Sequence, residues 1–165
     1  MTPLGAKDTI VRVADWAAGR GDQTIVTLGL GSCVAIMLHD PQAGAGGMAH
    51  ILLPSRSLAR DTTNPAKFPE TAIPFLIEKL SALGADPRHL VAKLAGGASM
   101  FAQLMTPGAV QMGERNIAAT RNALRAAAIP IAGEAVGGEA GRSVRFYVAD
   151  GRVEIRSVGA NVFCI

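Results

Sequence analysis

The sequence predicts an α/β fold: a single domain over residues 1–165, built as a layered sandwich in which a mixed, largely antiparallel sheet carries two main helices. Three observations predict it. A chain of 165 residues, 49% of them hydrophobic, is long enough to bury one substantial core. Short apolar or alternating runs near both ends read as strands. Between them, residues 71–83 and 114–128 are patterned as helices. Aromatic residues make up only 4%, so the core must be largely aliphatic.

In chain order, residues 9–13 alternate enough for a first strand, and residues 17–22 read as a Gly-containing turn. Residues 24–28 form a second strand that ends at the turn Gly29-Leu30-Gly31-Ser32. Val34 to Leu38 is an unbroken apolar run of strand length and reads as buried. Asp40-Pro41 opens a Gly-rich connection to a second buried strand at 48–53. Residues 54–68 are polar and punctuated by proline, either a surface excursion or a cover for whatever lies beside the preceding strand. In the helix at 71–83, Ile73, Leu76, Ile77, Leu80 and Leu83 share one face, Pro74 falls in the first turn, and Gly84 suits the C′ position.

A strand at 90–95 follows, with His89 read as a surface residue before it. Gly96-Gly97-Ala98 then leads into a short helical segment at 99–105. A Gly-Gly turn before a helix can hold an anion; with no Lys-Ser/Thr ending, close backbone packing is the better reading. The helix at 114–128 is Ala-rich and can lie close to a sheet. Strands at 129–136, 142–148 and 152–158 complete the set, the last two joined by the hairpin signal Asp150-Gly151.

The chemistry is concentrated in residues 27–54, which hold one of two cysteines and one of three histidines, both in apolar runs flanked by glycine. A turn centred near Pro41 and Gln42 pairs Cys33 directly with His50, and opposed side chains have Cβ atoms about 5 Å apart. That distance suits a thiol and the imidazole that takes its proton. A cysteine in an apolar run is also an ordinary small core residue. The glycines at 29 and 31 let the backbone turn sharply, leaving amide groups near Gly31 and Ser32 free to receive an oxyanion. Thr27, at a strand end before the turn, reads on its own as a β-branched strand residue.

Other classes fit poorly. Two N/S ligands without a companion fall short of a zinc site, so no metal and no cofactor is expected. Gly29-Leu30-Gly31-Ser32-Cys33-Val34 lacks the third glycine of a dinucleotide fingerprint, and a strand pattern follows it rather than a helix. A net charge of +3 with scattered arginines lacks the basic stripe and stacking aromatics that nucleic acid would need. No run of about 18 apolar residues suggests a membrane-spanning helix. Residues 1–20 lack the pattern of a secretory signal. Cys33 and Cys164 are expected as free thiols, which fits a cytoplasmic location.

The segments GLGSCVAIMLHDP and GGMAHILLP resemble the CheD family of chemoreceptor glutamine deamidases. The likeness continues through KFPETAIPFLIEKLSALGA, KLAGGASMF, MGERNIAATRNAL and GGEAGRSVRFYVADGRV. Several ordered motifs at natural spacing make it far more specific than any one of them. The resemblance implies a layered α/β architecture and a catalytic triad of Cys33, His50 and Thr27. It also implies a substrate, glutamines on the cytoplasmic helices of chemoreceptors, deamidated to glutamate through a thioester. Hydrolysis of methyl esters is chemically accessible to the same groups. Some members bind a CheC-type phosphatase, which makes a non-catalytic regulatory module the alternative reading. The family more often carries tyrosine around the position of Phe68.

Overall fold

The chain runs β1 (Asp8–Ile10), β2 (Trp16–Arg20), β3 (Thr24–Leu30), β4 (Val34–Asp40), β5 (Ala45–Ile51), α1 (Pro69–Ala82), β6 (Val91–Gly96), α2 (Met112–Ala126), β7 (Ile131–Val136), β8 (Arg142–Tyr147), β9 (Val153–Ser157) and β10 (Phe163–Cys164). This is a computed structural model that describes residues 4–5 and 7–165; residues 1–3 and 6, part of the segment read for a secretory signal, lie outside it. The expected α/β sandwich with two helices and mixed, largely antiparallel pairing is what the strands and helices form. They divide into two sheets, ordered β1-β3-β8-β9-β10 and β2-β5-β4-β6-β7. Among the described residues, only β1 with β3 and β6 with β7 pair in parallel.

The apolar run at β4 follows from its place in the stack. Val34, Ile36 and Leu38 pack with Leu76, Leu80, Ile117 and Leu124 of the helices. Ala35 and Met37 turn the other way, into a core shared with Leu30, Val144, Phe146 and Ile155 of the opposite sheet. The centre of this sheet is therefore covered on both faces, and β4 and β5 are buried along their whole length instead of alternating. Met48 of β5 also faces the inter-sheet core, and His50, two residues on, shares that face.

Residues 17–20 are not a turn. Trp16 to Arg20 form β2, paired antiparallel with β5 from Trp16↔Ala49 to Arg20↔Ala45. Alanine and glycine have little intrinsic strand preference, and here pairing along a sheet edge overrides it. Helix α1 starts at Pro69, so Pro74 lies inside the helix instead of in its first turn. Pro74 is exposed, and the carbonyl it leaves unpaired one turn earlier can be met by water. The end of α1 is as expected: Gly84 has φ +94°, with Ala85 N–H bonded to Leu80 O and Gly84 N–H to Ser81 O, a Schellman closure. Helix α2 ends in the same pattern, but its left-handed residue is Ala128, at φ +57°.

Candidate active site

Three segments meet at one end of the inter-sheet core. β3 carries Thr27 in the outer sheet, β5 carries His50 in the central sheet, and the corner Gly31-Ser32-Cys33 crosses between the sheets from β3 to β4. A bulge sets the phase of β3. Thr27 pairs with Val144 and Leu30 with Arg142, so β3 holds one residue more than β8 in that interval. Gly29, at φ +66°, absorbs it. Thr27 and Leu30 thus both point inward, where a regular strand would have turned one of them out.

The register of β4 on β5 differs from the expected one. Ala35 faces His50 and Val34 faces Ile51, so Cys33 does not lie directly opposite His50. The cause is the turn. Asp40 Oδ1 accepts from the N–H groups of Gln42 and Ala43, Asp40 O accepts from Gly44 N, and Gly44 has φ +61°. The result is a four-residue connection centred between Gln42 and Ala43. Cys33 is displaced by one pleat repeat along the same face, making it a diagonal neighbour of His50. The Cys33 side chain packs against the inter-sheet core, the side His50 also faces.

Thr27 and His50 are 0% and 1% exposed. The Thr27 hydroxyl donates to Val11 O at 2.7 Å, and Thr27 Oγ1 lies 2.8 Å from His50 Nδ1. Having given its only hydrogen to Val11, Thr27 can only accept from the ring, so Nδ1 carries the proton and Nε2 a bare lone pair. His50 Nε2 is buried with no hydrogen-bond partner. The backbone around the ring is held too: His50 N–H donates to Asp15 O and His50 O accepts from Ala14 N. Asn64 Nδ2 ties the 54–68 loop to Ala14 O at 2.7 Å. That loop therefore buttresses the His50 strand, and Phe68 at its end is fully buried.

Electrostatics keep both groups neutral at rest. Burial pulls the His50 pKa down from 6.5 to about 4. Burial also pushes the Cys33 thiol up, against a smaller opposing effect of its own backbone N–H. The two are thus a neutral thiol and a neutral imidazole rather than a preformed ion pair.

The corner itself is anchored by its carbonyls. Gly31 O accepts from Ala98 N, Ser32 O from Asn116 Nδ2, and Cys33 O from Gly97 N. Each trans-planar peptide directs its N–H away from its carbonyl, which orients the N–H groups of Ser32 and Cys33. Gly97 and Ala98 spend their own N–H groups on these carbonyls, so the Gly-Gly turn serves close packing and not an anion. A Cβ on Gly96 would stand 2.3 Å from Cys33 O. Beside the corner, a cleft of about 260 Å³ is lined by Ser32, Ala98, Met100, Phe101, Met105 and Gly113. Met100 and Phe101 are exposed there, and Leu104, three residues on from Phe101, is exposed as well.

Val11, Ala14 and Asn116 escaped the sequence reading. For Asn116 a signal exists: Gly113, Asn116, Ile117, Thr120 and Leu124 are the buried face of α2, and an asparagine on an apolar helix face needs a polar partner. Cys164 is exposed, in β10 opposite Glu154. His89 is partly exposed beside Asp40 and Asp86. Among the described residues, no group of three or more His, Cys, Asp and Glu is placed to hold a metal ion.

Residues 52–157 match the family described as CheD chemotactic sensory transduction. This chain belongs to the CheD family. Relatives named "Probable chemoreceptor glutamine deamidase CheD" align along nearly the whole chain. The one from Caldanaerobacter subterraneus subsp. tengcongensis is 41% identical, covering 92% of this chain and 94% of its own. Those from Desulforamulus reducens and Clostridium novyi are 40% and 42% identical, covering 94% and 96% of this chain and 94% and 99% of theirs. Among solved structures, the Bacillus licheniformis hypothetical protein YfiH matches with a TM-score of 0.46 at 13% identity, over 73% of this chain and 50% of that one. The CheD family match begins just past His50, whereas the relatives align along more than nine tenths of the chain.

Proposed function

We propose that this chain is a chemoreceptor glutamine deamidase, a cysteine hydrolase in which Cys33 is the nucleophile, His50 the base and acid, and Thr27 the group that orients the imidazole. The observation that carries this reading is the buried line from Val11 O through Thr27 Oγ1 to His50 Nδ1, which leaves Nε2 bare on the face shared with Cys33. In the first step Nε2 takes the thiol proton as sulfur bonds to the glutamine carboxamide carbon, and the C=O electron pair moves to oxygen. The Ser32 and Cys33 N–H groups receive that oxyanion, with Gly31 leaving room beside Met100. Collapse of the adduct expels nitrogen, protonated by the imidazolium, as ammonia, and a thioester remains. Water, deprotonated by the same Nε2, adds to the thioester carbonyl. The C–S bond then breaks and the thiol regains its proton, leaving glutamate. A methyl ester presents the same carbonyl with methanol as leaving group.

The substrate we assign is the cytoplasmic helical region of chemoreceptors, and the chain acts in the cytoplasm. Exposed Met100 and Phe101 beside the corner, with Leu104 three residues on from Phe101, offer a helical surface apolar area to bury. The helices themselves agree with a protein that works on such a region from outside the bilayer: among the described residues none is long and apolar enough to cross a membrane. A purely regulatory partner of a CheC-type phosphatase would have no use for a buried, pre-oriented imidazole, which favours catalysis.

The test is incubation with a receptor cytoplasmic fragment, reading ammonia release and mapping glutamine-to-glutamate conversion by mass spectrometry. Cys33→Ser and His50→Ala should each abolish turnover, and Cys164→Ser should leave it unchanged. Turnover that survives the first two changes, or is lost with the third alone, would overturn the assignment.

A further inference from the structure

Resting on the deamidase reading, we propose that Asn116 is a positioning residue: its carboxamide aims the Cys33 N–H at the oxyanion. Asn116 lies on α2, 0% exposed. Its Nδ2 donates to Ser32 O at 2.9 Å and to Leu52 O at 3.1 Å. Ser32 immediately precedes Cys33, and Leu52 lies two residues beyond His50, so one amide group spans the two chain segments that carry the chemistry. Ser32 C=O and Cys33 N–H belong to the same planar trans peptide. Holding the carbonyl toward α2 therefore holds the N–H toward the opposite side, where the substrate carbonyl must sit.

The surroundings show that the helix is built to deliver this amide. A Cβ on Gly113 would stand 2.5 Å from Gly97 O and 2.6 Å from Ala98 O, so only glycine lets the first turn of α2 come this close. Further along the same buried face, the Thr120 hydroxyl donates to Asn116 O at 2.8 Å. The other end of the carboxamide, Oδ1, is buried without a hydrogen-bond partner. Turning the amide over would set Oδ1 against two carbonyl oxygens, so the NH₂ group must face Ser32 and Leu52. An apolar residue here would strand the Ser32 and Leu52 carbonyls, whereas the amide meets both and leaves only its own Oδ1 unpaired. The unpaired oxygen is the consequence of needing two donors at one point.

The experiment uses the full chain as Asn116→Leu, close in size but without donors, assayed on the receptor cytoplasmic fragment beside the unchanged protein. Removing a group that orients an oxyanion donor should lower kcat by about a hundredfold and leave KM within about twofold. Alkylation of Cys33 by iodoacetamide, which forms no oxyanion, should keep its rate and pH dependence. A kcat within about threefold of the unchanged protein, with or without a lower melting temperature, would overturn the proposal. So would a matching loss of alkylation, because the thiol itself would then be affected. If Asn116→Leu does not fold, Asn116→Ala is read the same way, since it leaves space and removes the donors. Absence of deamidation by the unchanged protein would instead sink the deamidase reading, a separate outcome from normal turnover by the variants.

Discussion

Thr27 and His50 are joined across the two sheets by a single hydrogen bond of 2.8 Å in which the hydroxyl oxygen accepts, because its hydrogen is already given to Val11. The ring therefore has one tautomer, with Nε2 as its unprotonated nitrogen, buried and without a hydrogen-bond partner. A hydroxyl brings no charge, so it orients the imidazole without stabilising an imidazolium as a carboxylate would.

Thr27→Val keeps the branched shape and removes both roles of the hydroxyl. It leaves His50 Nδ1 and Val11 O unpaired in a buried setting, which should cost about 2 kcal/mol of stability. Turnover should fall by roughly tenfold to a hundredfold as tautomer and ring angle are released. Thr27→Ser keeps the acceptor and the donor and should be nearer the unchanged protein in both respects. Melts and receptor-fragment turnover measured on the two variants check this. Equal activity and equal stability of Val and Ser would reduce Thr27 to a strand residue.

The pH profile should report His50. Its imidazole stays neutral down to about pH 4, so kcat/KM should hold through mildly acidic pH and drop only near that value. An acid limb centred close to 6.5 would mean that the free enzyme's base is not this buried ring.

Stability should carry the same signature with a definite sign. The unfolded chain protonates His50 near 6.5 and the folded one only near 4, so the unfolded state binds more protons in between. The contribution is fully present above about pH 6.5 and is lost as pH falls toward 4, amounting to ~3 kcal/mol. Denaturant melts of the unchanged protein and of His50→Gln between those pH values isolate it. The two curves should converge in slope if another group is responsible.

Ala128→Gly is a stability test remote from the chemistry. Ala128 closes α2 at φ +57°, a left-handed geometry that costs an L-residue about 1–2 kcal/mol. Glycine recovers part of this and loses some through its freer unfolded state, for a net gain of roughly 0.5–1 kcal/mol. Thermal melts should show a rise of a few degrees with turnover unchanged. A fall in the melting temperature would show that the alanine methyl packs usefully.

Much of this arrangement was legible in the sequence because its causes are local. The apolar run at β4 shows because both faces of that strand are covered, and Gly84 shows because only its left-handed backbone closes α1 so easily. β2 did not show, since Trp16-Ala17-Ala18-Gly19-Arg20 is a strand only by virtue of its pairing with β5. Cys33 and His50 could be proposed from residue type and proximity, but their register depended on Asp40 side-chain bonds that lengthen the turn. Thr27 came from the family resemblance alone, because its partner stands on a different sheet. Asn116 was hidden by distance along the chain: its two acceptors lie 84 and 64 residues before it.

The bond between Thr27 and His50 bridges the interface between two sheets rather than neighbours in one. A chain in which either sheet has formed without docking on the other has a cysteine and a histidine but no oriented base. The orientation of this imidazole therefore belongs to the docked pair of sheets and to neither sheet alone.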